Sequence, residues 1–501
     1  MRAFARILRA EWTKFRTVPG WVISVVAAGG LILAFGLLPG MQGSCGQRGP
    51  DSECVLPVGP EGEEVTDRYT FVHRTLAGDG SITVRVTALT GELPGPNHHQ
   101  PQPGVAPWAK AGLIIRSSTD QGASYAAVMV TGVHGVRMQY DYTHDIAGSP
   151  SPIAAATPRW LRLTRTGDTV TAAESADGNR WTTIGAARLP GLPATVEAGL
   201  FVTSPDYAVE VHESIYSGNM SGPSQATGTF DQLAVEGAWD GDDWRSDRIG
   251  AFDNGPSIPD VERDGEVFRV TGSGDIAPAV PGAAGLGTSV TQTLAGTFIG
   301  LIVVVVIGAV FVTAEYRRGL IRSTLAASPG RVRVLAAKAI VVGAVMFATG
   351  LVAAAIVVHF GQRVLLANGV YVHPASTLTE LRIVVGTAAL LALAGTLALG
   401  LGALFRRSVT AVTTAVVIIV LPYLLAMTVL PSSSADWLLR ISPAAAFALQ
   451  QAAPEYPQVA NVYTPVNGYF PLPPWAGFAV LAGWAALALT AAAIRLRRRD
   501  A

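Results

Sequence analysis

The sequence predicts an α-helical membrane protein of six transmembrane helices, with an all-β, jelly-roll-like sandwich inserted on the extracytoplasmic side. Three observations predict it. Six apolar runs have the length that crosses a bilayer, roughly 20 residues. Between the first and second runs lies a long stretch of alternating apolar and polar residues broken by turn signals. Charge is divided the same way: residues 41–285 hold 16 Lys/Arg and 30 Asp/Glu, and the remainder holds 20 and 6. The formal net charge of zero over 501 residues is therefore −14 in one body and +14 in the other.

Only 14% of residues are charged, 50% are hydrophobic, and the mean hydropathy is +0.37. That excludes a disordered chain and argues against a purely soluble one. A zero balance also excludes the strong positive field that draws nucleic acid. The cations are 33 Arg and 3 Lys. With abundant Ala, Gly and Val, this points to a GC-rich bacterial genome, of the actinobacterial kind.

The apolar runs cover residues 21–38, 293–313, 339–358, 383–405, 409–430 and 475–494, and none contains Asp, Glu, Lys or Arg. A soluble core helix would carry a polar stripe instead. The first run follows a basic segment, with Arg2, Arg6, Arg9, Lys14 and Arg16, as a signal peptide does. No small-residue cleavage site follows it, so it reads as an uncleaved anchor. The domains are then residues 1–40 (interfacial helix and first span), 41–285 (outer domain) and 286–501 (spans two to six).

Orientation follows from the cations beside the spans. With both termini cytoplasmic, the inner segments hold 17: the five above, Arg317, Arg318, Arg322, Arg331, Arg333, Lys338, Arg406, Arg407, Arg495, Arg497, Arg498 and Arg499. The short outer loops hold three, Arg363, Arg382 and Arg440. This places the protein in the plasma membrane with residues 41–285 outside. Cys45 and Cys54 are the only cysteines, and an extracytoplasmic pair nine residues apart is expected to oxidise to a disulfide.

In the outer domain, Ile82–Val86 and Trp160–Arg165 alternate, Ala126–Val130 is a fuller apolar run, and Gly167-Asp168 and Asp177-Gly178 mark turns. These predict an antiparallel sandwich, with Trp108, Trp160 and Trp181 in its core. The run Trp108–Arg116, "PRWLRLTR" at 158–165, "SADGNRWTTIG" at 175–185 and "AGLFVTS" at 198–204 resemble concanavalin A-like, laminin-G-like sandwiches. The resemblance implies a fold and leaves a glycan or protein ligand open. Residues 268–276 resemble a strand that usually opens such a domain. Here it comes last, so it is expected to close the sheet and hold the two ends of the insertion together.

No catalytic, cofactor or metal site is predicted. Glycoside hydrolysis needs a carboxylate pair, and the E-x-D-x-x-E run of the glucanases of this fold is absent. Asp141/Asp145 and Glu210/His212/Glu213 read as strand faces or loops, and His98-His99 alone is a poor metal site. Asp240, Asp242, Asp243 and Asp247 lack EF-hand spacing. No charge lies mid-span, which disfavours a proton relay. Pro422 can kink the fifth span, and Gly386, Gly395, Gly400 and Gly402 permit close helix contact.

The segment between the second and third spans reads Glu315-Tyr316-Arg317-Arg318-Gly319, continues through Arg322, and meets a Ser-Pro break before Arg331 and Arg333. Composition alone makes it a positive-inside loop. Its pattern also resembles the coupling loop of type-2, export-type ABC transporter permeases. The segment Glu11-Trp12-Thr13-Lys14-Phe15-Arg16 resembles the interfacial helix of that family, with Trp12 and Phe15 in the headgroups and Lys14 and Arg16 facing phosphates. Asp436–Gln451 resembles its short re-entrant helices. The resemblance implies a permease subunit, itself no enzyme and without cofactor, that exports a substrate. It also implies ATP hydrolysis by a separate cytoplasmic ABC ATPase, since no P-loop sequence occurs here. That ATPase would push on a coupling helix at 315–331, and the permease would work as a homodimer or beside a second permease. The alternative is a membrane-anchored, cell-surface glycan-binding or sensor protein, for which a single span would suffice.

Overall fold

The computed structural model describes residues 2–38, 56–95, 101–150, 157–213, 216–250, 260–282, 287–321, 324 and 330–498. Cys45, Cys54, His98, His99 and Arg322 lie outside the described residues, as does most of 322–329.

Two helices open the chain, α1 (Arg2–Thr17) and α2 (Pro19–Leu37). The β domain follows as β1 (Val65–Asp67), β2 (Tyr69–Leu93), β3 (Gln102–Pro103), β4 (Lys110–Arg116), β5 (Tyr125–Thr131), β6 (Val136–Tyr140), β7 (His144–Ala147), β8 (Arg159–Thr166) and β9 (Thr169–Ser175). It continues as β10 (Thr182–Arg188), β11 (Thr195–Thr203), β12 (Tyr207–Glu213), β13 (Tyr216–Gly222), β14 (Gln225–Trp239), β15 (Arg245–Ile249), β16 (Val261–Asp264), β17 (Val267–Gly272) and β18 (Ile276–Pro278). The membrane part resumes with the short α3 (Val290–Thr293), then α4 (Gly296–Arg317), α5 (Arg331–Ala367), α6 (Thr377–Phe405), α7 (Ser408–Thr428), α8 (Ser432–Ile441) and α9 (Pro474–Arg498).

The β domain differs from a sandwich of two separate sheets. Its main path, β10-β9-β8-β2-β11-β4-β5-β6-β7, is one continuous antiparallel sheet. Continuity comes from β2, whose 25 residues pair with β11 and β15 at one end and with β8 at the other, while β14 runs along both. The strand changes direction at Gly78, where φ is +69°, a conformation that favours glycine. Opposite it, the β14 register slips between Gly237 and Ala238, and such bulges sharpen the bend.

Strand β4 is buried along its whole length, because both faces are covered. Leu113 and Ile115 face the main core with Val128, Leu161 and Phe230, and Ile114 faces a second cluster with Tyr69, Phe71, Tyr125 and Phe201. Trp108 is buried as expected, whereas Trp160 and Trp181 are only half-buried. They stand on the outer face, where guanidinium groups cover them: Arg85 lies 5.8 Å from the Trp160 ring and Arg162 lies 3.9 Å from the Trp181 ring.

Residues 267–272 do pair, with β14 and β16. The strand that joins the two ends of the insertion is the next one: β18 pairs antiparallel with β1, Val65 opposite Pro278 and Asp67 opposite Ile276. The fully buried Lys110 secures it, donating to Asp275 Oδ1 at 2.6 Å and to the Ile276 carbonyl at 2.7 Å.

His134 lies flat on Trp108, with ring centroids 3.9 Å apart. Burial, then the nearby Arg137, holds its imidazole below the ordinary value of 6.5. A depressed histidine contributes stability that is complete above about pH 6.5 and is lost as pH falls through the folded value. The melting temperature of the full chain is therefore expected to fall between pH 7 and 5, less steeply in His134→Gln. An unchanged slope in that variant contradicts the assignment.

Among the described residues, six helices are long and apolar enough to cross a membrane. Most extend past the apolar runs. Instead of residues 339–358, α5 covers 37 residues, about 55 Å at 1.5 Å per residue, so its ends leave the hydrocarbon layer. Helices α4 and α6 cross closely, since a Cβ on Gly308 would fall 2.2 Å from the Gly395 carbonyl oxygen. In α7, residues Val416–Val420 form a π turn in which the Leu421 N–H reaches back to the Val416 carbonyl. Pro422 follows and has no N–H to give, so the widened turn absorbs the break. Tyr423 then stacks on Phe447 at 3.9 Å. The expected re-entrant stretch is α8 followed by a buried 3-10 helix, Pro443–Gln450.

Candidate coupling site

At the end of the bundle away from the β domain, three elements meet on four charges. Helix α1 has one acidic residue, Glu11, and its Leu8, Glu11 and Phe15 fall on one helical face. That face turns inward, leaving Glu11 1% and Phe15 3% exposed. Phe15 packs on Phe311 of α4 at 5.5 Å, and so does Trp21 of α2. Glu315 stands one turn beyond Phe311 on α4, and Lys338 lies two turns into α5.

Lys338 Nζ donates to Glu11 Oε2 at 2.7 Å and to Glu315 Oε1 at 2.6 Å. Lys14 Nζ donates to Glu11 Oε1 at 3.1 Å and to Glu315 Oε1 at 3.3 Å. Two ammonium groups thus face two carboxylates. The Phe311 ring lies 5.0 Å from Lys338 Nζ and completes its enclosure. The side chains of Lys338 and Glu11 are 1% and 2% exposed, so neither has water as an alternative partner. Lys14 is 42% exposed. Burial lowers its affinity for the proton, but Glu11 and Glu315 together outweigh that and raise it.

The predicted coupling residues divide into two sets. Glu315 faces the cluster, and Tyr316 lies 5.2 Å under the Arg406 guanidinium. Arg331 donates to the Leu496 carbonyl at 2.9 Å, tying the start of α5 to the end of α9. By contrast Arg317, Arg318, Gly319 and Arg333 are exposed, and Gly319 has φ +67°, where α4 ends. On α1, Trp12 and Arg16 face outward as expected. Phe15 and Lys14 do not: they turn to Phe311 and to the carboxylates, because the bundle offers them better partners than headgroups do.

Sequence reasoning missed Lys338 and the inward role of Glu11. A signal was present. Glu11 and Glu315 are the lone acids of two basic segments, and Lys338 is one of three lysines in the chain.

At the other end, the β domain rests on loops that join the helices. His373 Nδ1 lies 3.0 Å from Glu64 Oε2, Gln458 donates to the Thr143 carbonyl at 3.0 Å, and Asn461 donates to that of Pro281 at 3.2 Å. Asp145 is ion-paired to Arg137, Asp141 accepts from Ser124 and from the Tyr125 N–H, and Asp240, Asp242 and Asp243 are exposed.

A bundle of apolar helices with a charged knot at one end and a β domain at the other defines a multi-pass membrane protein. Residues 144–501 match the family described as ABC-2 family transporter protein. The chain belongs to that family, whose members are transport membrane components and in general work with a partner ATPase. Among curated proteins, none matches the sequence. Two solved structures are weakly similar. A functionally unknown protein from Saccharomyces cerevisiae is 13% identical, covering 34% of this chain and 74% of its own, with a TM-score of 0.19. A scytalido-glutamic peptidase bound to a transition-state analog inhibitor is 10% identical, covering 42% and 98%, with a TM-score of 0.25. Likenesses this weak carry no argument about activity.

Proposed function

We propose that this chain is the permease subunit of an export-type ABC transporter, coupled to its ATPase through the turn that follows α4. The observation that carries the reading is the four-charge cluster beside the exposed Arg317-Arg318-Gly319 turn. A push on that turn reaches α4, α5 and α1 together, because Lys338 and Lys14 bind carboxylates from α1 and α4 at once. The ATPase docks on the cytoplasmic, arginine-rich side, where Arg317, Arg318 and Arg333 stand free of the bundle. The β domain is extracytoplasmic, as the 17-to-three division of cations requires. The protein works as two halves, and the open apolar faces of α2 and α7, with Ile23, Val26, Val409 and Val417, meet lipid or the second half.

The test is co-purification of a cytoplasmic ABC ATPase with the full chain from its native membrane. The wild-type chain is expected to retain it. The Arg317→Ala/Arg318→Ala variant is expected to lose it while keeping its melting temperature, since both side chains are exposed. Equal retention by both chains, or none by the wild type, overturns the reading.

A further inference from the structure

The outer domain has a polar cleft that the transport reading does not use. Strands β10 and β7 are the two ends of the main sheet path, and each pairs with one strand only among the described residues. They lie against each other at Gly185, where an added Cβ would meet Ile146 Cδ1 at 2.7 Å. Beside this contact the layers part around a cleft of about 500 Å³, within the range of small-ligand sites. Gly148, Ser149, Arg159, Glu174, Arg180 and Thr182 line it.

Glu174 is 7% exposed. Its Oε1 accepts from the Ser149 N–H at 2.6 Å. Its Oε2 is buried and, among the described residues, accepts from nothing. Arg159 Nε is likewise buried and donates to nothing. The two side chains share a face: Leu161 pairs with Glu174, and Arg159 is two residues from Leu161. Buried polar groups are nearly always satisfied, so a donor for Glu174 and an acceptor for Arg159 are both wanting in one cavity. Arg180 is exposed at the rim and adds a second cation.

The charges select the occupant. Glu174 favours a cationic donor, and Arg159 with Arg180 favours an anion. A neutral sugar would meet the hydrogen bonds but not the charges, and among the described residues no aromatic ring lines the cleft for it to stack on. We propose that this cleft binds a small zwitterion, an α-amino acid or short peptide. Its ammonium sits on Glu174 and its carboxylate on Arg159 and Arg180.

The experiment is calorimetric titration of the full chain in lipid nanodiscs with the standard amino acids, diglycine and triglycine. Each zwitterion that binds is then compared with its amide, its N-acetyl derivative and maltose. At least one zwitterion is expected to bind, and loss of either charge is expected to weaken it about tenfold or more. Glu174→Gln is expected to weaken binding about as much. Arg180→Ala, at an exposed position that leaves folding alone, is expected to weaken it severalfold. The proposal is overturned by any of three results. The first is no binding up to about 10 mM, which leaves the cleft to water. The second is maltose binding as tightly as the zwitterion. The third is binding unchanged in both Glu174→Gln and Arg180→Ala.

Discussion

Lys338→Met is expected to destabilise the membrane part by about 3–5 kcal/mol, the usual cost of breaking a buried ion pair from one side. Among the described residues, Lys338 alone touches both Glu11 Oε2 and Glu315 Oε1 from inside the bundle. Without it, two enclosed carboxylates face each other with only the half-exposed Lys14 between them. Lys14→Met is expected to cost no more than about 1 kcal/mol, because water screens that pair. The triple variant Glu11→Gln/Glu315→Gln/Lys338→Met is expected to recover most of the loss, since the charge then left in the cluster, on Lys14, is half-exposed and solvated by water. Thermal unfolding of the full chain in nanodiscs measures all three. Equal effects of Lys338→Met and Lys14→Met would show that the cluster is not the enclosed network described above.

The second large effect is expected in the outer domain. Arg116→Met should cost about 3–5 kcal/mol for the same reason. Asp67 and Arg116 are each 1% exposed and pair at 3.0 Å. The Asp67 carboxylate also accepts from Tyr142 Oη at 2.9 Å and from the Gly122 N–H at 3.0 Å. Arg116 further donates to the Tyr69 hydroxyl. Burial raises the Tyr69 and Tyr142 hydroxyls well above the ordinary phenol value, so both stay neutral and neither adds a second negative charge beside Asp67. Asp67 belongs to β1, which holds β18. Arg116→Met is therefore expected to speed amide hydrogen exchange at 65–67 and 276–278 ahead of the main core. A loss confined to global stability, with no preferential exchange there, would detach the pair from the clamp.

Much of the architecture was legible before the structure. The six long apolar helices of the described residues were, because a bilayer imposes a length and an absence of charge that few other contexts produce. The strands at 82–86 and 160–165 were, because alternation has a period of two, and 126–130 was, as a short apolar run. Trp160 and Trp181 were misplaced because an indole at a strand position fits either face. The arginine opposite decides which, and cross-strand partners are set by register rather than by local sequence. The clamp at β1 and β18 was nearly found, one strand early, since three-residue strands carry too little pattern to be recognised.

The sequence by itself determined the membrane-spanning class. Hydrophobic length and the absence of charge act locally, residue by residue, and so survive in a linear reading. What tertiary structure decided were the pairings: Glu11 with Lys338 across 327 residues, Asp67 with Arg116 across 49, and Glu174 Oε2 left without a partner among the described residues, at the cleft that Arg159 also lines. A carboxylate has the same one-letter identity whether it faces water, an ammonium group or an empty cleft. Its energy differs by several kcal/mol among the three, because dielectric and distance are properties of the folded packing.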